Sequence, residues 1–147
     1  MQQVLKSRDF YNLLTGRTPQ AFNLSLNKNF RENNVDLTRE QWSILALLWE
    51  EDGKSQQFLA DKSYRDRPSV TRLIDNLERM KLVERQADPN DRRSKLIFLT
   101  TKGKNMEEKV KKVVEKTVDQ AIQNIDISEI EFMKTIFDKI YNNLENN

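Results

Sequence analysis

The apolar residues keep a helical spacing along most of the chain and abandon it once, at Leu82. From there "LVERQA" (82–87) and "KLIFLT" (95–100) read as extended segments, and Ile97 and Phe98 favour strand in the second. "DPND" between them is turn chemistry, because Asp and Asn bond their own backbone and Pro89 presets φ. One hairpin in an otherwise helical chain confines the fold class to mainly α with a small β-hairpin. Charge concentrates at the same place: Asp88, Asp91, Arg92 and Arg93 crowd the hairpin tip.

Two short helices joined by a tight turn lead into the hairpin. "SQQFLADKS" has Ser55 as its cap and Phe58 and Leu59 as inward residues, and "YRDR" is the turn. Pro68 then opens "PSVTRLIDNLERM", whose core face is Val70, Leu73, Ile74, Leu77 and Met80. Ser69, Thr71, Arg72 and Asn76 point outward from its first turns. A second helix that opens with small polar and basic residues matches the helix-turn-helix plan. Followed at once by a hairpin, it is a winged helix. Thr100 ends the hairpin and can cap the next helix.

The flanks are helical. Residues 5–15 are rich in apolar side chains (Leu5, Phe10, Leu13, Leu14), and Thr18 before Pro19 reads as an N-cap with Pro at the first helical position. A helix over 19–33 then aligns Phe22, Leu26 and Phe30, and Asn33 and Asn34 end it. Thr38 with Gln41 forms a capping box for a helix sharing Trp42, Leu45, Leu48 and Trp49 on one face, with Gly53 just past its end as C-cap. Residues 101–123 keep a stripe of Val110, Val113 or Val114, Thr117 or Val118, and Ala121. Ser128 with Glu131 is a second capping box, opening a last helix with Ile130, Met133, Ile136 or Phe137, and Ile140 inward.

Composition narrows the functions open to such a fold. The 147 residues suit one domain, and they contain no Cys and no His. That removes thiol redox sensing, disulfides, Cys/His zinc sites and the commonest general base, so neither a metal nor a cofactor is expected. Gly16, Gly53 and Gly103 are too scattered to build a phosphate-cradling loop. No stretch reaches the ~20 apolar residues of a membrane span, and "MQQVLKSRDF" lacks a signal peptide's apolar run, so the reading is cytoplasmic. The net charge of +2 conceals a local excess: residues 61–104 carry 12 Lys and Arg against 7 Asp and Glu. A basic cluster is often only a solvated face, but it is also the electrostatic footprint of a nucleic-acid site.

The residues "LADKSYRDRPSVTRLIDNLERMKLVERQADPNDRRSKLIFLTTKG" resemble the core of MarR-type winged-helix transcriptional regulators. The matching pieces are "LA" in the first helix, "VTRLIDNLE" in the recognition helix, "LVER" entering the wing, "DRR" at its tip and "LTTKG" leaving it, in the family's order and spacing over about 45 residues. One departure is Lys81, where the family usually has Gly between recognition helix and wing. It must adopt a left-handed conformation or end the helix differently. The resemblance implies one domain over 1–147: dimerisation helices at 1–34 and 104–147 interlock in a homodimer, and a DNA-binding lobe occupies 35–103.

It also implies roles for single residues. Ser69, Thr71 and Arg72 open the recognition helix as candidates for base or phosphate contact, although Ser69 is equally a plain first-turn residue. Arg65 and Arg67 in the turn are placed to touch phosphate. Arg93 is the residue the family would insert in the minor groove, braced by Asp91 through a charge-assisted hydrogen bond, with Arg92 toward phosphate or solvent. The alternative is that Asp91 and Arg93 only stabilise the turn. A small-molecule effector pocket would lie near Phe22, Phe30, Trp42 and Trp49, all of them plausible core residues too. The function implied is a sequence-specific regulator, a repressor, acting as a homodimer on pseudo-palindromic double-stranded DNA. The competing reading is a winged helix used for protein–protein contact without DNA. An enzyme is disfavoured, since no nucleophile–base pair can be built without His or Cys.

Overall fold

The computed structural model describes residues 6–147; Leu5, placed above in the first apolar segment, lies outside them. Among the described residues eight helices and three strands follow in order: α1 (Ser7–Thr15), α2 (Arg17–Glu32), α3 (Arg39–Glu50), β1 (Lys54–Ser55), α4 (Gln56–Ser63), α5 (Arg67–Arg79), β2 (Val83–Asp88), β3 (Asp91–Leu99), α6 (Thr101–Asn105), α7 (Glu107–Ala121) and α8 (Ile127–Glu145). The fold is mainly α with a small antiparallel sheet. That sheet has three strands in the order β1-β3-β2, not the two of a bare hairpin. β1 is a pair of residues, Lys54 and Ser55, opposite Ile97 and Leu96, too short to leave a period in the sequence.

One apolar cluster organises the chain up to Thr117. Leu26 and Phe30 of α2, Ile44, Leu45 and Leu48 of α3, Leu59 of α4, Val70, Ile74 and Leu77 of α5, and Ile97 of β3 are all within 1% of complete burial. Val110 and Val113 of α7 complete it. Of the two alternatives on α7, Val113 and Thr117 are the buried ones, while Val118 is exposed. Thr117 is a buried hydroxyl with a reason: it accepts from Asn29 Nδ2 at 2.7 Å and donates to the Val113 carbonyl at 2.9 Å. Residues 118–147 form a second compact unit, dominated by α8, which has no buried residue.

Several helix boundaries differ from expectation, each for a local reason. α2 begins at Arg17 with Gly16 as its cap, so Thr18 and Pro19 lie inside the first turn and Thr18 makes no capping bond. α8 is capped by Asp126, whose N–H donates to Glu129 Oε2 at 2.9 Å, two residues before the Ser128–Glu131 pair that carries the same spacing. α3 ends at Glu50 with Glu51 as its C-cap, and Gly53 serves the turn into β1: its φ of 70° is left-handed, and a Cβ there would lie 2.7 Å from the Phe98 ring. Residues 101–123 are two helices broken at Met106. The Thr38–Gln41 capping box and the Ser55 and Thr100 caps form as expected.

Lys81 resolves the departure noted at the wing entry by taking the left-handed conformation itself, φ 62°. The Leu82 N–H reaches back to the Leu77 carbonyl at 2.9 Å and the Lys81 N–H to Glu78 at 2.9 Å. This paired closure satisfies the last carbonyls of α5. It places Leu82 and Val83 in the core, 1% exposed each, so the wing leaves from a fixed root.

A candidate nucleic-acid interface

Helices α4 and α5 meet at a turn set by Tyr64, which is left-handed at φ 56°, with the Arg65 N–H closing on the Ala60 carbonyl at 3.1 Å. Asp66 then caps α5. Its carboxylate accepts from the Ser69 N–H at 2.8 Å and from Ser69 Oγ at 2.9 Å. These bonds, the backbone N–H first, hold the Asp66 carboxyl below its ordinary 3.8. Asp66 is thus the N-cap of α5 and not only part of the "YRDR" turn; an Asp two residues before Pro68 followed by an apolar period is its signal in the sequence.

The cap bears on the recognition residues. Ser69 Oγ is engaged by Asp66 and accepts from Arg72 Nη2 at 3.4 Å. Thr71 Oγ1 donates to the Arg67 carbonyl at 3.0 Å and accepts from Gln56 Nε2 at 3.1 Å. Arg67 and Arg72 are exposed. Arg65 is half-buried, its Nε shielded and without a hydrogen-bond partner among the described residues.

Strand parity sorts the wing. β2 and β3 pair from Val83 opposite Leu99 out to Ala87 opposite Lys95, with an irregularity at Ala87/Asp88. Residues alternate between faces along a paired strand, so Lys95 shares the face of buried Ile97 and Leu99; between Lys95 and Asp91 the register shifts, and alternation does not carry on to Arg92 and Arg93. Asp88 Oδ1 accepts from the Asn90 N–H at 2.9 Å, and Asp91 Oδ1 accepts from the Arg93 N–H at 3.0 Å. The expected charge-assisted bond from Asp91 to the Arg93 guanidinium is not formed: Asp91 holds the Arg93 backbone amide instead, a bond that also stabilises the turn, and among the described residues no ion pair joins their side chains. The wing tip and the starts of α4 and α5 enclose a hollow of about 410 Å³ lined by Gln56, Gln57, Arg67, Asp91, Arg93, Ser94 and Lys95. It brings Arg67, Asp91 and Arg93 of the candidate set together and adds Lys95. Arg65, Ser69, Thr71, Arg72 and Arg92 do not line it.

One residue outside the candidate set is more heavily engaged than any within it. Arg85 pairs with Asp75 and Glu78 of α5 and with Gln56 of α4. Parity carried the signal, since Arg85 stands two residues beyond buried Val83, on the inward face.

The proposed effector residues separate. Trp42 and Trp49 line a hollow of about 330 Å³ with Ala46, Glu50, Glu107, Lys111, Val114 and Glu115, and Trp49 Nε1 donates to the Gly103 carbonyl at 3.0 Å. Phe30 is in the core, 1% exposed, and Phe22 packs against it; neither reaches that hollow.

Two helices at a left-handed turn, a recognition helix and an arginine-tipped wing define a winged-helix module with a cationic working face. The MarR family model matches residues 37–95, the stretch that holds the helix-turn-helix and most of the wing. The uncharacterized HTH-type transcriptional regulator YybA of Bacillus subtilis (strain 168) is 26% identical over 117 residues, 80% of this chain and 78% of that one. A MarR-family transcriptional regulator from Rhodococcus sp. RHA1 is 26% identical with a TM-score of 0.78, over 92% of this chain and 94% of its own. A MarR regulator from Methanosarcina mazei Go1 gives 26% and 0.79, over 94% and 99%. A mutant MarR from E. coli complexed with operator DNA shares the fold at a TM-score of 0.77 and 24% identity, over 83% and 86%. No helix among the described residues is long and apolar enough to cross a membrane.

Proposed function

We propose that the chain is a homodimeric repressor that reads a pseudo-palindromic operator with α5 in the major groove and the wing tip in the flanking minor groove, and that a small molecule modulates it. The observation that carries this reading is the hollow in which Arg67 of α5 faces Arg93 and Lys95 of the wing. Cations from two elements converge there on one concave face, at the spacing of a helix and its flanking hairpin, and the fold shared with the operator-bound E. coli protein supports it. Arg67 and Arg65 neutralise phosphate. Arg72, exposed on the first turns of α5, is the base-reading candidate, with Thr71 beside it. Ser69 works chiefly by holding Asp66 and Arg72. Arg93 enters the minor groove, and Arg92 meets phosphate or solvent.

The dimer part of the reading rests on α1 and α8, within the dimerisation segments at 1–34 and 104–147. α8 exposes Phe132, Met133, Ile136, Phe137, Tyr141 and Leu144, and α1 exposes Tyr11 and Leu13. Burying a large apolar side chain contributes roughly 1.5–3 kcal/mol, so these faces favour a second copy. The Trp42–Trp49 hollow is the effector site in this reading. Sedimentation at micromolar concentration together with footprinting on duplexes selected by the chain tests the whole. A dimer protecting two related half-sites about one helical turn apart is expected. A monomer, or protection of a single half-site, contradicts it.

A further inference from the structure

The wing has little to hold it in place beyond its root. Val83 and Ile97 are buried at 1% and 0%, but from Gln86 outward β2 and the tip are largely exposed. β1 pairs with β3 at Ile97 and Leu96, and among the described residues one side chain of β2 hydrogen-bonds across to α4 and α5. Arg85 sits opposite Ile97, one inward step past Val83. Its guanidinium donates to Asp75 Oδ1 at 2.5 Å, to Glu78 Oε1 at 2.8 Å and to Gln56 Oε1 at 3.2 Å, while its backbone N–H donates to Glu78 Oε2 at 3.2 Å. The Arg85 side chain is only 20% exposed, so these charge-assisted bonds are partly sheltered from solvent screening. On α5, Thr71, Asp75 and Glu78 follow one another at four- and three-residue steps, a single stripe facing the wing. Gln56 closes the circuit, accepting from Arg85 and donating to Thr71 Oγ1 at 3.1 Å. One guanidinium therefore ties the first turn of α4, the length of α5 and the middle of β2.

We propose that Arg85 is a positioning residue for DNA recognition: it fixes the pitch of the wing against α5, so that Arg93 reaches the minor groove when α5 is seated in the major groove. This rests on the DNA-binding reading above. The planar fork is essential to the role, because it meets two carboxylates and an amide in fixed directions, which a lysine cannot do. Losing Arg85 frees the tip to pivot about Val83 and leaves the bases under α5 still legible.

The test uses the full chain and duplexes selected from a random pool by the wild type, remade with A·T-rich or G·C-rich flanks. Wild type, Arg85→Gln, Arg85→Lys, Arg93→Ala and the Arg85→Gln/Arg93→Ala double variant are titrated against both, and the thermal midpoint of each is recorded. The wild type is expected to prefer A·T flanks by about tenfold, the scale of one well-placed contact in a narrow groove. In both Arg85 variants that ratio falls toward one, as in Arg93→Ala, while discrimination against changed bases under α5 persists. The double variant is no weaker than Arg93→Ala alone beyond about twofold, because the two residues act on one contact. Arg85→Lys, which keeps the charge and the aliphatic stem, covers the case in which Arg85→Gln fails to fold. Retained flank preference in Arg85→Lys, additive losses in the double variant, or an equal loss on every duplex in step with the melting temperature each overturn the role. A wild-type chain that selects no duplex refutes the DNA-binding reading itself, and is recognised before any variant is compared.

Discussion

The winged lobe and the last helix treat their apolar residues in opposite ways. In the lobe Ile44, Leu45, Ile74, Leu77 and Ile97 are fully shielded, and Tyr64 is the one large apolar side chain of its described residues that stands mostly in solvent. In α8 no residue is buried, and Phe132 and Phe137 stand 67% and 49% exposed. The lobe closes a core together with Leu26 and Phe30 of α2 and Val110 and Val113 of α7, and carries its cations on the surface. The last helix keeps an apolar face that water does not favour. The difference teaches that the two regions meet water differently: one shields its apolar residues within the chain, and the other leaves them for a proposed second copy to cover.

The largest effect is expected where the lobe's core is attacked. Ile74→Ala on α5 removes a fully shielded side chain and should destabilise the fold by about 2–5 kcal/mol. Denaturant unfolding measures it, and a loss under 1 kcal/mol would mean the lobe does not rely on this cluster. The matching attack on the other region is Phe137→Glu. It should lower stability through assembly instead: the melting temperature falls and stops rising with protein concentration, and sedimentation moves toward monomer. An unchanged sedimentation coefficient would break the contrast between the two regions.

The lobe and the last helix also differed in how far the sequence disclosed them. The periodic faces of α3 and α5, the turn at Pro89 and the caps at Thr38, Ser55 and Thr100 were legible because each is a local agreement of side chain and backbone. Cap positions with two chemically equivalent solutions were not. Ser128–Glu131 and Asp126–Glu129 carry the same spacing, and the choice falls to where the preceding chain turns. β1 escaped notice because two residues hold no period; its place comes from Asp52, whose carboxylate accepts from the Gly53 and Leu99 N–H groups at 3.0 and 2.9 Å. The charged tip was found from composition, while Arg85 was missed because an arginine on an inward strand face looks like an interruption until its partners on another element are known.

A smaller effect sharpens the view of the recognition helix. Asp66 has its carboxyl held low in the folded chain, so the stability it supplies is present above its ordinary value of 3.8 and is lost as pH falls through the lower folded value. Asp66→Ala should therefore be less stable than the wild type at neutral pH, with the gap closing under strong acid. A gap that persists unchanged at low pH would rule out the carboxylate as the cap. The smallest effect concerns the wing root. Lys81→Gly removes a side chain from a left-handed position and should gain about 0.5 kcal/mol in chemical denaturation. A loss would indicate that the Lys81 stem contributes packing that outweighs its backbone strain.

The central claim, that the lobe reads DNA with a helix and an arginine-tipped wing together, is tested most directly by titrating Arg93→Ala, Lys95→Ala and Asp91→Ala against operators with A·T-rich and G·C-rich flanks at several salt concentrations. Arg93 and Lys95 line the same hollow and carry the same charge. Lys95→Ala should weaken all duplexes alike and reduce the salt slope by about one unit. Arg93→Ala should lose on the order of 1–3 kcal/mol, mainly on A·T-rich flanks. Asp91→Ala should also weaken binding, although it removes a negative charge, because Asp91 holds the Arg93 amide at 3.0 Å and with it the course of the tip. Equal losses for Arg93→Ala and Lys95→Ala on both flanks, or tighter binding by a folded Asp91→Ala dimer, would show that the wing contributes only diffuse attraction.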